Sequence, residues 1–258
     1  MKLQNPTLSV ITPSFNQGHF IKQTIDSVLG QSHAPLEYIV MDGQSQDTTV
    51  SILKTYAKRL SWTSEKDRGQ THAINKGLAQ CRGDIVCYIN SDDYFLPDAF
   101  KTVLTFFRSH PDENWVVGDA VIVNETGKEI QGYVRWYKKL IREFLPSFLL
   151  YILNPYPQPS VFIKKSALKQ IGLFDESLRF TMDYDCWLKL YRQFGAPSIL
   201  STSLSAFRIH STSKGSLSYK KQFSEELSVL ERYSANPVVI GLHKLHNQCI
   251  LWSYALIK

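Results

Sequence analysis

The sequence has no apolar run of the ~18 residues that a membrane-crossing helix needs. It has only four cysteines among 258 residues, Cys81, Cys87, Cys186 and Cys249. They form no CxxC pair and no Cys/His spacing suited to zinc, so they read as reduced thiols of a cytosolic protein. The opening stretch, MKLQNPTLSVITPSFNQ, is too polar for a signal peptide and lacks a cleavage pattern, so no leader is expected. Glycine is scarce where a dinucleotide would require it. The turn after the first apolar run, PSFNQGHF, holds one glycine instead of GxGxxG, and no Walker A loop occurs. Basic residues exceed acidic ones by 29 to 23, a net charge of +6. They are dispersed and match no nucleic-acid-binding motif, so the excess suits an anionic small molecule or a membrane surface, and no nucleic acid partner is expected.

What is present is alternation. Apolar strand-like runs at 8–13 (LSVITP), 36–42 (LEYIVMD), 61–65, 84–90 (DIVCYIN) and 114–124 are separated by helical patterns at 18–30, 45–60, 71–80 and 97–110. Pro97 is expected in the first turn of the last of these. Such alternation with short links predicts a mainly parallel, doubly wound sheet. The second half is less regular. It holds a basic and aromatic stretch running into an apolar one (132–153), a proline-rich loop (154–160), a strand with a short helix, a helix over 182–195, a strand over 204–210 and a helical tail from Lys220.

Parallel sheets bind ligands beyond the C-terminal ends of their strands. Polar residues stand there repeatedly: Thr12, Pro13, Phe15 and Asn16; Asp42; Asp67 and Arg68; then Asn90, Asp92 and Asp93. The adjacent acids Asp92 and Asp93 fit two readings, a turn or helix cap, or a clamp for Mg²⁺ or Mn²⁺ that also takes substrate phosphates. Asp183 begins the helical pattern of 182–195 at the edge of its apolar arc. A base raised by partial burial and a helix-cap acid both fit it. Asp185 falls on the opposite face, within reach of Lys189. His210 ends a strand, with Arg208 on the same face, and reads as structural or as a ligand.

The ordered segments SVITPSFNQGHFIKQTIDSVLGQSHAPLEYIVMDGQSQDTT, SEKDRGQTHAINKGLAQCRGDIVCYINSDDYFLPDA, VFIKKSALKQIGLFDESL, FTMDYDCWLKL and FRIHSTS together resemble a family 2 inverting glycosyltransferase over residues 7 to 213. The resemblance implies a GT-A fold, a Rossmann-like mainly parallel sheet flanked by helices with a smaller acceptor-side region and C-terminal helices. It implies a nucleotide-diphosphate sugar donor, a UDP-sugar favoured, with Mn²⁺ or Mg²⁺. Thr12, Pro13, Phe15 and Asn16 would border the nucleotide, with Asp42 on the base and Asp67 on the nucleoside side. Asn75 and Lys76 would lie near the donor. Asp92 and Asp93 match the metal element, with Asp93 the direct ligand, and His210 matches a histidine that approaches the metal or diphosphate. Arg68 and Arg208 are candidates for charge on the leaving group, and Asp183 matches the general base. Asn90 stands where many relatives carry Asp, and Met182 where many carry Glu.

The acceptor, a glycan or a lipid-linked molecule of surface polysaccharide synthesis, would lie on the Asp183 side, with Gln158 as a wall contact. Residues 135–153 read either as an interfacial segment, giving peripheral contact with the inner face of the cell membrane, or as a core helix with a solvated basic face. The expected division is a catalytic domain over 1–215, with a donor half to residue 124 and an acceptor half from 125, and a helical extension over 216–258. A sugar nucleotidyltransferase would open on a glycine- and arginine-rich loop, which TPSFNQGHF is not. A non-catalytic nucleotide-sugar-binding module would not need Asp183.

Overall fold

A computed structural model describes residues 5–257, with the side chains of 214–219 and 253–257 left aside. Among the described residues, eight strands make one sheet. They are β1 (Leu8–Ser14), β2 (Glu37–Asp42), β3 (Ser61–Ser64), β4 (Ile85–Tyr88), β5 (Tyr94–Phe95), β6 (Trp115–Val123), β7 (Val161–Lys164) and β8 (Ser198–Arg208), in the order β3-β2-β1-β4-β7-β6-β8-β5. The β3-β2-β1-β4 block is parallel, as is the β6–β8 pair, while β7 and β5 run against their neighbours. The sheet is therefore mainly parallel, as the alternation predicts.

Its strands are apolar on both sides because both faces are covered. Ile11, Ile39, Met41, Val86 and Tyr88 point into one core with the helices α3 (Gln70–Gln80), α6 (Lys165–Ile171) and α7 (Met182–Phe194). Val10, Tyr38, Val40, Ile85 and Cys87 point into the other, under α1 (Ile21–Leu29) and α4 (Ala99–Ser109). Helix α2 (Thr49–Thr55) follows β2. Helix α3 crosses β1 closely: a Cβ at Gly77 would lie 2.6 Å from Ile11 Cγ2, so any larger residue there pushes the helix off the strand. Trp115 and Trp187 stack 6.0 Å apart in the first core, and truncating either to alanine costs ~3–5 kcal/mol.

The chain departs from the sequence reading in five places. Helix α4 begins after Pro97, because Asp98 takes a left-handed conformation (φ 59°) at its N-cap. Strand β8 begins at Ser198 and ends at Arg208, which leaves His210 in the following loop. Residues 135–153, read as an interfacial segment or a core helix, do not form one helix. Helix α5 (Gly132–Phe144) stops at Leu145, which precedes Pro146, and a 3₁₀ turn follows over Ser147–Tyr151. The basic face of α5 is not solvated: Arg135 and Arg142 turn inward, each paired with the buried Asp119. Asp185 is buried as well, because α8 (Lys214–Tyr233) covers it. It pairs with Lys189 at 2.7 Å and accepts a 2.6 Å hydrogen bond from Tyr233. Helix α9 (Pro237–Ile257) closes the chain, and no helix among the described residues is long and apolar enough to cross a membrane.

Candidate active site

The strand ends form the first part of the site. Asp42 ends β2 and is buried. Its carboxylate accepts hydrogen bonds from Ser45 N (3.0 Å), Ser45 Oγ (2.5 Å) and Ser64 Oγ (2.5 Å), which leaves one of about four lone-pair sites open. Next to it, Asp67 accepts from Gly69 N at 2.8 Å and presses on Gly43, where a Cβ would lie 2.7 Å from Asp67 Oδ2. Phe15 stands out from the end of β1, 60% exposed, beside the left-handed Asn16 (φ 52°). Thr12 and Pro13 lie inside the sheet, and Thr12 Oγ1 meets Tyr38 OH at 3.0 Å.

Asp92 and Asp93 sit on a turn after β4. Thr24 of α1 fixes that turn by donating to the carbonyls of Ser91 and Asp93 (2.9 and 2.6 Å). Asp93 is buried. It accepts from Arg208 N at 2.8 Å and from Asn90 Nδ2 at 3.3 Å. Burial first, and the neighbouring Asp92 second, push its carboxyl well above the usual carboxylate range. Asp92 Oδ2 lies 3.0 Å from His210 Nε2, and Thr212 Oγ1 holds the other ring nitrogen at 2.9 Å. Arg208 spends its donors on the protein: Nε on Asp92 O, Nη1 on Glu125 O and Nη2 on Gln23 Oε1. Among the described residues no three His, Cys, Asp or Glu side chains converge to cage a metal by themselves.

Other expected residues join the strand ends to the second part. Gln158 donates to Tyr88 O at 2.8 Å and accepts from Asn90, which in turn accepts from Gln70. Arg68 pairs with Glu176, and Lys76 with Glu65. Asn75 is buried and locks the 174–176 turn, accepting from Phe174 N and donating to Phe174 O.

The second part is helical. Asp183 is half-buried in the first turn of α7, and Tyr184 N donates to its Oδ1 at 2.8 Å. Burial raises its carboxyl to about 6, with the Tyr184 N–H and Lys138 working against that and Glu225 adding to it. Lys138 reaches in from α5, its pKa lowered by burial and then by Arg142. Glu226 of α8 is buried and pushed up to about 8 by burial and by Asp183. Glu225 collects four hydrogen bonds at the start of α7, from Arg179 N (3.1 Å), Phe180 N (2.8 Å), Thr181 N (2.9 Å) and Thr181 Oγ1 (2.9 Å). The Tyr88 hydroxyl feels Asp183 and Asp93 at once, and burial together with these charges raises its pKa. Sequence reasoning missed Tyr88, Lys138, Glu225 and Glu226. The one signal was a second pair of adjacent acids in the helical tail.

Residues 9–172 match the family described as Glycosyl transferase family 2, and the chain belongs to that family. An uncharacterized glycosyltransferase of Rickettsia typhi is 26% identical over 189 residues, which take in 73% of this chain and 59% of that protein. The chain thus spans less than two thirds of that relative's length. TarS of S. aureus in complex with UDP-GlcNAc aligns with a TM-score of 0.69 at 22% identity, over 87% of this chain and 65% of that one. The mannosyltransferase PcManGT from Pyrobaculum calidifontis, in complex with GDP-Man and Mn²⁺, gives 0.69 at 18% identity over 95% of this chain and 69% of that one. At such identities the likeness is one of fold, and the fold is the GT-A type that the sequence implies.

Proposed function

We propose that the protein is a metal-dependent inverting glycosyltransferase that moves a sugar from a UDP-sugar to a hydroxyl of a glycan or lipid-linked acceptor. The carrying observation is the acid pair after β4, with Asp93 buried and accepting from Arg208 N at 2.8 Å and Asp92 meeting His210 Nε2 at 3.0 Å. Asp93 lies on the strand-end side, after β4, and Asp183 on the helical side, in the first turn of α7. The strand ends bind the donor, with Phe15 and Asn16 at the nucleoside, Asp42 offering its free lone pair to the base, and Asp67 beside it. Thr12, Pro13, Asn75, Lys76 and Arg208 act through the backbone and loops that they hold, and Arg68 and Gln158 line the rim.

The donor set fits Mn²⁺ or Mg²⁺. Asp93 holds a buried carboxyl that burial and the neighbouring Asp92 push up, a crowding of acids that a divalent ion would relieve, and Asp92 and His210 stand beside it with oxygen and imidazole donors. Two or three protein ligands suffice when a diphosphate supplies the rest. A bound ion would offset the charge that builds on the departing diphosphate. Asp183 takes the proton of the acceptor hydroxyl as that oxygen bonds to the anomeric carbon and the bond to the diphosphate breaks. A carboxyl near 6 is largely ionised at neutral pH yet basic enough to help.

The test is release of nucleoside diphosphate by the purified protein from a panel of UDP-, dTDP- and GDP-sugars with Mn²⁺ or Mg²⁺, against Asp93→Ala. Metal-dependent release from a UDP-sugar, lost in the variant, is expected. Absence of release together with absence of UDP binding in calorimetry contradicts the reading.

A further inference from the structure

Helix α5 is amphipathic in the wrong sense for a surface helix. At ~100° per residue, Arg135, Lys138 and Arg142 share one face, and that face is turned inward. Arg135 and Arg142 meet Asp119, and Lys138 interacts with Asp183 and Glu226. The opposite face carries Tyr133, Trp136, Tyr137, Leu140 and Phe144, with Trp136 64% and Phe144 73% exposed. Surface helices of globular proteins show the reverse order. Leu145 and Phe148 extend the apolar surface past the helix end. Helix α9 adds a second stripe, Val238, Leu242, Leu245 and Trp252, all exposed and spaced at whole turns. The two helices meet where Tyr137 OH lies 3.3 Å from His246 Nε2.

We propose that α5 and α9 seat the protein on an anionic lipid bilayer. Tyr and Trp rings favour the headgroup level, and aliphatic side chains the depth below it. The charge pattern agrees. Glu143, the single acid of α5, is offset by Lys139 at 3.9 Å, α9 has no acid, Lys244 is exposed and the chain carries +6. Because Arg135, Lys138 and Arg142 are engaged inside, apolar burial carries most of the contact, and high salt removes only the share that the surface cations add against the anionic headgroups. Trp136 and Tyr137 on the outer face are neighbours of Lys138 on the inner face, so a single helix separates bilayer from base. On the transferase reading, which this last step alone requires, the acceptor hydroxyl is presented by a lipid-bound carrier.

The test is co-sedimentation of the purified chain with vesicles of mixed phosphatidylglycerol and phosphatidylethanolamine, at physiological and at high salt. The double variant Trp136→Ser/Phe144→Ser runs alongside, with its thermal melt checked against wild type. Wild type should bind at both salt levels and the double variant about tenfold more weakly. Asp183→Asn should bind like wild type, which keeps docking separate from chemistry. Wild type left in the supernatant, or a double variant that binds equally, overturns the proposal. So does a wild-type dimer in sedimentation velocity that the double variant dissociates, because a second copy would then own the surface. Failure of nucleotide release leaves the vesicle result standing, so the two readings fail separately.

Discussion

Two pairs of adjacent acids mark the two sides of the site. In each pair one carboxylate is partly accessible and takes partners, Asp92 with His210 and Glu225 with the start of α7. The next is buried and pushed up, Asp93 at the strand end and Glu226 on α8. The pairs differ in how they are built. Asp92 and Asp93 are set by a short turn at a sheet edge, held by Thr24 and the end of β8. Glu225 and Glu226 exist as a site only because α8 packs on a helix start more than 40 residues earlier in the chain. Both sides rest on contacts distant in sequence, but the donor side stands where the strands of one sheet all end, and the base side where α8 packs across the start of α7. Part of the base side also lies beyond residues 9–172, where the family match ends.

This contrast can be broken by substitutions on α8. Glu225→Ala removes four acceptor contacts from the start of α7. A lost cap of this kind costs ~1–2 kcal/mol, and a base displaced by about 1 Å loses up to ~10²-fold in rate. Transfer should fall by ~10–100-fold while UDP affinity holds, and Glu225→Gln, which keeps an acceptor oxygen, should recover part of it. Steady-state rates and UDP calorimetry check this. Equal loss of rate and affinity would merge the two sides.

A smaller effect should appear in stability. Glu226 has an ordinary value of 4.5 and stands at about 8 when folded. Between those values the folded chain binds more protons than the unfolded one, so stability falls as pH rises through that window. Glu226→Gln removes this term. Melting curves should show the wild-type Tm dropping relative to the variant from about pH 5 to pH 8. Parallel curves would contradict the burial of Glu226 against Asp183.

The same contrast explains what was legible in the sequence. Strand alternation put Asp42, Asp67, Asp92 and Asp93 on one edge, because a parallel sheet ends all its strands on the same side. Helical periodicity gives the two faces of α7 but not what covers them, and residues 135–153 read either as an interfacial segment or as a core helix. The expected pair of Asp185 with Lys189 is present, but the burial of Asp185 and the inward turn of Arg142 each depend on a partner distant in sequence, Tyr233 or Asp119. Glu225 was invisible for a related reason, since its partners are backbone N–H groups that no side-chain pattern announces.

The most direct measurement pairs UDP calorimetry with transfer rates for Asp183→Asn. If donor binding and base catalysis are separate regions, UDP affinity stays at the wild-type value and transfer falls by ~10²–10⁴-fold, while the wild-type rate climbs with pH through about 6. A variant that transfers at the wild-type rate, or that loses UDP affinity in step with rate, would contradict that division.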